Sequence, residues 1–185
     1  MEATNTIWTV GHSTRTLDEF VATIETYDIE LIVDVRRFPG SRRLPQFGAA
    51  ELEAGLAENH IAYKWLPALG GRRQALADSP DTAWTHPAFR AYADHIATEE
   101  FAEGLEELLV LAGGMRTAIM CAEVLWWRCH RRIISDVLVT LGFDVIHIRE
   151  STFSEHHKLA APARLVGGLL SYEPDSAFQL GLPID

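Results

Sequence analysis

The side chains best suited to chemistry are concentrated between residues 121 and 132, in the run Cys-Ala-Glu-Val-Leu-Trp-Trp-Arg-Cys-His-Arg-Arg. Cys121 and Cys129 can act as nucleophiles or redox groups once they lose a proton, which nearby guanidinium groups favour. Glu123 can carry a proton in acid–base chemistry. The basic side chains expected to bind an anion in the same run are Arg128, His130 and Arg131. The run therefore predicts a site for an anion or for thiolate chemistry.

The elements on either side of this run indicate why its side chains should meet. Residues 117–120 are apolar and predict a strand, and residues 130–141 have the spacing of an amphipathic helix that Gly142 ends. The backbone N–H groups and the macrodipole at a helix N-terminus favour an anion. The two cysteines are thus expected at the end of a strand and at the start of a helix.

Other reactive side chains also follow predicted strands. The segment 6–10 is β-rich, the apolar run 31–35 is typical of a buried parallel strand, and a third strand is predicted at 61–66. In parallel sheets, ligands bind at the carboxyl ends of the strands. We therefore expect His12 to be catalytic together with Glu123 and both cysteines. The side chains expected to bind the ligand from the first two strand ends are Ser13, Asp34, Arg36 and Arg37, and the third strand leads to Gly-Gly-Arg-Arg at 70–73.

Strands and helices alternate along the chain, which predicts a parallel sheet with right-handed crossovers. The expected fold class is α/β: a single domain with a mostly parallel sheet flanked by helices on both faces, as in Rossmann-like or rhodanese-like three-layer sandwiches. The remaining predicted elements are helices at 17–24, at 49–58 and across 89–111 with a break near Thr98, and a strand at 145–148.

The C-terminal part of the chain has no such alternation. We expect the α/β domain to span residues 5–150 and residues 151–185 to form a C-terminal extension packed on the same domain. A short helix is predicted at 158–169 in this extension. The pair His156 and His157 is expected to be exposed to solvent.

The composition favours a globular protein that binds a small anion. The 185 residues are 48% hydrophobic and 23% charged, and the formal net charge of −10 argues against extended wrapping of nucleic acid. Only Lys64 and Lys158 are lysines, so arginine dominates the basic residues. No apolar run approaches the roughly 18 residues of a membrane span. We expect a cytoplasmic protein with an anionic small molecule or nucleotide as partner and no membrane partner, and a homodimer is compatible with the sequence.

Two common types of site do not match the spacing of the cysteines. A phosphatase-type loop has its cysteine and arginine closer together than Cys121 and Arg128 are here. Neither the Cys-x-x-Cys nor the His-x₃₋₅-His pattern of zinc sites occurs, so a metal is not expected and the sequence identifies no cofactor. The alternative zinc ligands would be Cys121, Cys129, His130 and His12.

Short motifs along the chain resemble known families. The strand end at residues 34–36, Asp-Val-Arg, together with a loop that begins with a cysteine, resembles the rhodanese architecture. Over residues 5–150 the ordered motifs resemble the domain of unknown function 488 family. Those motifs are Val-Gly-His-Ser-Thr at 10–14, Val-Asp-Val-Arg-Arg at 33–37, Pro-Gly-Ser at 39–41, Leu-Gly-Gly at 69–71, Phe-Arg-Ala-Tyr at 89–92, Cys-Ala-Glu at 121–123 and Cys-His-Arg at 129–131. The resemblance implies a bacterial or archaeal cytosolic α/β protein with its predicted site residues grouped, and implies no particular reaction.

Together these features predict an enzyme that acts on a phosphate-bearing small molecule or nucleotide. Cys121 would be the thiolate, and Glu123 or His12 would move protons. The arginines holding the anion would be Arg36, Arg128 and Arg131. Two alternatives stay open: a non-catalytic module that binds a nucleotide or a nucleic-acid end, and a structural or interaction protein whose arginines pair with its own carboxylates. Trp126 and Trp127 could stack a nucleobase or could cover the core.

Overall fold

The structure is a computed structural model that describes residues 5–40 and 42–174. The strands in these residues are β1 (Thr6–Gly11), β2 (Leu31–Asp34), β3 (Ala62–Trp65), β4 (Thr117–Cys121), β5 (Asp144–Glu150), β6 (Phe153–His156), β7 (Arg164–Val166) and β8 (Leu169–Ser171). The α-helices are α1 (Leu17–Glu25), α2 (Ala49–Glu58), α3 (Pro87–Ile96), α4 (Glu99–Ala112) and α5 (Arg131–Thr140). Among the described residues, no helix has the length and apolar character needed to cross a membrane.

Six of these strands form one sheet in the order β3-β2-β4-β1-β5-β6. The strands β1 to β5 run parallel, and β6 pairs antiparallel with β5 at the edge. β7 and β8 form a separate antiparallel hairpin. The predicted fold class, an α/β domain with a mostly parallel sheet, is confirmed.

The strands carry apolar side chains on both faces, as a sheet between two layers of helices requires. In β1, Ile7 packs into the cluster formed with α3, α4 and α5, whereas Trp8 and Val10 pack into the cluster formed with α1 and α2. Successive side chains of a strand point to opposite faces, so this alternation follows from the strand itself. The sheet is therefore the middle layer of three.

Threonine side chains set the start of two helices. The hydroxyl of Thr16 accepts a hydrogen bond from the N–H of Glu19, and the Glu19 carboxylate accepts one from the N–H of Thr16, which forms a capping box before α1. The hydroxyl of Thr98 accepts from the N–H of Phe101 and caps α4. The helix break predicted near Thr98 is confirmed.

The short helix predicted at 158–169 is wrong. The hairpin of β7 and β8 occupies the end of that segment. Gly167 and Gly168 join the two strands with φ values of +60° and +84°, a conformation that glycine adopts without strain and that suits a tight hairpin turn. The glycine pair therefore forms a turn between strands.

The segment after β5 packs against the α3–α5 side of the sheet. Ala160 and Tyr172 belong to the core cluster on that side. The expectation that the histidine pair is exposed is wrong for His157, which is buried, and right for His156. Residues 175–185 of the expected extension lie outside the described residues.

The connections that follow the neighbouring strands β1 and β4 run in opposite directions across the sheet. The loop after β1 leads to α1 on one face, and the loop after β4 leads to α5 on the opposite face. In open α/β sheets such a point leaves a crevice outside the carboxyl ends of the two strands, where ligands bind. Gly11 at the end of β1 lies beside Cys121 at the end of β4.

Candidate active site

A cavity of about 660 Å³ lies at this crevice. Most of the residues predicted from the sequence line it: His12, Arg36, Arg37, Cys121, Glu123, Arg128, Cys129 and His130. The other predicted residues are not part of the lining and each contacts a residue that is; they are Ser13, Asp34 and Arg131. The topology of the sheet thus gathers side chains from three strand ends into one place.

The ends of β1 and β4 approach so closely that only glycine fits at position 11. A Cβ atom on Gly11 would lie 2.0 Å from the carbonyl oxygen of Glu123. Just beyond, the N–H of His12 donates a hydrogen bond to the carbonyl of Cys121 at 3.0 Å. This contact extends the pairing of β1 and β4 past the strands and holds the start of the cysteine loop.

His12 is buried, and both of its ring nitrogens are hydrogen-bonded. Nδ1 donates to the carbonyl of Ser13 at 2.8 Å, which leaves Nε2 to accept from Nη1 of Arg36 at 3.3 Å. The ring also stacks on Phe47, with centroids 4.0 Å apart. Burial lowers the pKa of His12 to about 4, and the nearby guanidinium of Arg36 acts in the same direction. His12 is therefore a neutral group that helps to hold Arg36.

Asp34 and Arg36 form an internal ion pair in the wall of the cavity. Nη2 of Arg36 lies 2.5 Å from Oδ2 of Asp34, and Nε donates to Oδ1 at 2.9 Å. The hydroxyl of Tyr63 donates to the same carboxylate at 2.8 Å, and Nη1 of Arg36 donates to the carbonyl of Phe47 at 2.9 Å. The internal pairing considered from the sequence thus occurs for Arg36.

Two thiols and an imidazole lie together in the cavity wall. The sulfur atoms of Cys121 and Cys129 and a ring nitrogen of His130 all lie within 4.8 Å of one another. Sγ of Cys129 is 3.6 Å from Nδ1 of His130, and Nε2 of that ring donates to the carbonyl of Val35 at 2.9 Å. Cys129 is buried, whereas Cys121 is partly exposed.

The surroundings of the two thiols shift their pKa values in opposite directions. Hydrogen bonding to Cys129, together with the partial burial of Cys121, raises the pKa of Cys121 well above its usual range. Burial also acts to raise the pKa of Cys129, but the hydrogen bond from Cys121 and the nearby His130 and Arg131 lower it well below its usual range. These contacts favour the thiolate at Cys129, a role that the sequence analysis assigned to Cys121.

Arg131 is fully buried and uses its donors within the protein. Nε donates to Sγ of Cys129 at 3.5 Å, and Nη1 donates to Oγ1 of Thr9 at 3.1 Å. Nη2 donates to the carbonyl oxygen of Glu123. Arg131 therefore holds the cysteine loop from behind the cavity, where the sequence analysis expected a direct contact with the anion.

Three other arginines line the cavity and form no ion pair with any described residue: Arg37, Arg72 and Arg128. Nη1 of Arg37 is buried and has no hydrogen-bond partner in the described part of the chain. The carboxylate of Glu123 is exposed beside them, and its Oε1 accepts from the N–H of Leu125 at 3.0 Å. The positive charges of the three arginines repel one another around one cavity, and an anion bound between them would relieve this repulsion.

One wall of the cavity comes from a segment after the third strand, in which the sequence analysis named no individual site residue. Its lining residues are Gly71, Arg72, His86, Ala88, Phe89 and Tyr92. A Cβ atom on Gly71 would lie 2.8 Å from Nδ1 of His130, so glycine leaves room for that imidazole. The Gly-Gly-Arg-Arg run at 70–73, which follows the third strand, is the sequence signal that points to this wall.

The two adjacent tryptophans have different surroundings. Trp126 stacks on His147, with ring centroids 4.1 Å apart and an angle of 9° between the planes, and is not part of the cavity lining. Trp127 lines the cavity and is 37% exposed. Of this pair, only Trp127 is placed to stack on a ligand in the cavity.

A family model described as "Domain of unknown function DUF488" matches residues 16–138, more than half of the chain. The match confirms the resemblance inferred from the ordered motifs. Neither a search of curated proteins nor a search of solved structures found a match.

Proposed function

The chain belongs to the family described as domain of unknown function DUF488, and from its cavity we propose that it is an enzyme acting on a phosphate-bearing small molecule or nucleotide. The main support is the meeting of two thiols with three arginines that pair with no carboxylate of the described residues, in one cavity of about 660 Å³. Small-molecule sites in proteins have volumes of roughly 300–1,000 Å³, so the cavity is large enough for a nucleotide.

The anion would bind to Arg37, Arg72 and Arg128. Guanidinium groups bind phosphate oxygens through paired hydrogen bonds. Arg37 supports this most directly, because its buried Nη1 has no hydrogen-bond partner among the described residues. An unsatisfied buried donor costs about 1–3 kcal/mol, and a phosphate oxygen would remove that cost.

Aromatic side chains at the mouth of the cavity favour a substrate that also has a flat ring. Phe38 is 64% exposed and Trp127 is 37% exposed, and both belong to the lining. Such exposed aromatic groups stack on nucleobases with little preference for one base over another. A nucleotide, which joins a base to a phosphate, would use both the aromatic groups and the arginines.

The reaction would take place beside Cys121, Cys129 and His130. Glu123 is the group best placed to move a proton, because its exposed carboxylate lines the same cavity. His12 is less suited, because both of its ring nitrogens already form hydrogen bonds within the protein. We assign His12 to positioning Arg36.

Binding is tested by thermal unfolding of the full chain with inorganic phosphate, sugar phosphates and nucleotides. A ligand at 100 times its dissociation constant adds about 2.7 kcal/mol to the stability of the folded state. Arg128→Ala should abolish this gain and leave the unliganded protein folded. Lys158→Ala is the matched control, since it removes one exposed positive charge outside the cavity lining and should keep the gain.

Turnover is tested with the compounds that stabilise the protein, by following product formation with mass spectrometry. We expect the wild-type chain to convert at least one of them and Cys129→Ser to bind it without conversion. Binding without conversion by the wild-type chain would identify a non-catalytic binding module. No stabilisation by any phosphate compound would reject the proposed function and favour a structural or interaction protein.

A further inference from the structure

The side chains of Cys121, Cys129 and His130 have the donor atoms and the spacing of a metal site. We infer that they bind one zinc ion, with the fourth position of the ion open to the cavity. The donor atoms are two sulfurs and Nδ1 of the imidazole, all within 4.8 Å of one another. Thiolate and imidazole ligands suit zinc, and three protein ligands with one open position are typical of its catalytic sites.

The distance between the best-defined pair of donors agrees with tetrahedral coordination. Sγ of Cys129 and Nδ1 of His130 are 3.6 Å apart. Zinc–sulfur and zinc–nitrogen bonds of about 2.3 Å and 2.05 Å, at a tetrahedral angle, place the two ligand atoms roughly 3.6 Å apart. The pair can therefore hold the ion with little movement.

The neighbours of the donors prepare them for a metal. Nε2 of His130 donates to the carbonyl of Val35 at 2.9 Å, which leaves the lone pair of Nδ1 on the side of the cysteines. Nε of Arg131 donates to Sγ of Cys129 at 3.5 Å and so supports a thiolate there. Gly71 has no side chain to crowd Nδ1, since a Cβ atom would come within 2.8 Å of it.

The open position gives the metal a role at the proposed active site, and this role rests on the proposed function. All three ligands line the cavity that contains Arg37, Arg72 and Arg128. Two thiolates neutralise the ion, so the charge of these arginines remains available for an anion. A phosphate oxygen bound to the ion would be polarised by it.

The spacing of the ligands explains why the sequence named them only as an alternative, together with His12, and predicted no metal. Seven residues lie between the two cysteines, and His130 directly follows Cys129. The donors converge because β4 and the start of α5 meet at the edge of the sheet and because Gly71 admits the imidazole. The convergence is thus a property of the fold and not of a short sequence motif.

The test is a titration of the reduced, metal-free full chain with Co²⁺, which replaces zinc and reports bound thiolates through charge-transfer absorption. We expect one ion per chain with thiolate-to-cobalt absorption, and displacement by Zn²⁺ bound with a dissociation constant no weaker than about micromolar. Cys129→Ser should weaken binding by about 100-fold or more and Gly71→Ala by roughly 10–100-fold. His86→Asn, which changes a cavity histidine outside the ligand set, should bind as the wild type does.

Absence of charge-transfer absorption in the wild-type chain would overturn the metal site, and this result does not depend on the folding of any variant. Equal cobalt binding by the wild type and a folded Cys129→Ser chain would also overturn it. The phosphate experiment separates the two proposals. Phosphate stabilisation of a chain that binds no cobalt rejects only the metal, whereas cobalt binding without phosphate stabilisation of either form rejects only the proposed function.

Discussion

Two polar clusters meet at Arg131, and the protein satisfies them to very different degrees. The first, the cavity cluster, consists of Cys121, Cys129, His130 and the arginines Arg37, Arg72 and Arg128. The second, the buried chain, is a run of hydrogen bonds that starts at Arg131 and passes through Thr9, His147, His157, Asp136 and Tyr172. Arg131 links the two, because it donates to Cys129 of the cavity cluster on one side and to Thr9 on the other.

In the buried chain every donor finds an acceptor. The hydroxyl of Thr9 donates to Nδ1 of His147 at 2.7 Å, and Nε2 of His147 donates to Nδ1 of His157 at 2.9 Å. Nε2 of His157 then donates to Oδ1 of Asp136 at 2.7 Å. Because Arg131 donates to Thr9, this direction gives every donor along the run an acceptor. The hydroxyl of Tyr172 donates to the other oxygen of the Asp136 carboxylate, Oδ2, at 2.6 Å.

The cavity cluster differs because it leaves binding capacity unused within the described residues. Its arginines lack carboxylate partners there, and Nη1 of Arg37 lacks any hydrogen-bond partner. Buried polar groups are almost always satisfied in folded proteins. We conclude that the buried chain serves stability, since it attaches the segment after β5 to α5. The cavity cluster is instead arranged for a ligand.

The largest expected effect comes from breaking the buried chain at Asp136. Asp136→Ala leaves the donors of His157, Tyr172 and the Ala160 N–H without their acceptor, which should cost about 3–5 kcal/mol of unfolding free energy in urea denaturation. Asp144→Ala is the control, because it removes an exposed carboxylate that also pairs with a histidine, His156, and should cost about 1 kcal/mol or less. Equal losses in the two variants would contradict a structural role for the buried chain.

A smaller loss of unfolding free energy is expected when the pH is lowered. Burial lowers the pKa of His147 to about 2 from its ordinary 6.5, because a charged ring would lose its hydration there. The stability that His147 contributes is therefore fully present above pH 6.5 and is lost as the pH falls towards 2, because only the unfolded chain takes up the proton. Between pH 7 and pH 5 this should remove about 2 kcal/mol of unfolding free energy.

His147→Gln isolates this contribution, because glutamine keeps a donor and an acceptor but does not titrate. The unfolding free energy, measured by urea denaturation at both pH values, should fall less between pH 7 and pH 5 for the variant than for the wild type, by about 2 kcal/mol. An equal fall in the variant and the wild type would show that the folded chain takes up the proton at His147 as readily as the unfolded chain does. The buried chain would then differ less from the cavity cluster than its hydrogen bonds indicate.

The smallest expected change in stability lies in the cavity cluster. Glu123→Gln alters an exposed carboxylate and should change the unfolding free energy by no more than about 0.5 kcal/mol. Turnover of a phosphate substrate should nevertheless fall by roughly 10²–10⁴-fold, since glutamine cannot carry the proton. Glu103→Gln, an exposed position on α4, should leave turnover unchanged. Full activity in Glu123→Gln would remove Glu123 from the proposed mechanism.

Much of the fold could be predicted because local patterns specify it. The spacing of apolar residues predicted α2 at 49–58, and the break expected near Thr98 lies where Thr98 caps α4. The helix predicted at 158–169 failed because Gly167 and Gly168 favour a hairpin turn more strongly than the surrounding residues favour a helix.

The candidate site could be located but not resolved into its parts. Parallel strands bring their carboxyl ends to one edge, so the approximate position of Cys121, Glu123 and Arg128 follows from the order of elements. Arg128 and Arg131 are three positions apart, yet one lines the cavity and the other is buried. Their difference depends on Thr9, a residue far away in the sequence that accepts from Arg131.

By itself the sequence determined the α/β alternation, the family and the edge of the sheet where the reactive side chains gather, because periodicity and motifs are properties of neighbouring residues. Only the tertiary structure decided which arginines face the cavity, that His157 is buried with Asp136, and that Gly71 makes room for His130. Each of these depends on contacts between segments that are distant in the chain, and such contacts exist only once the sheet and its helices have packed.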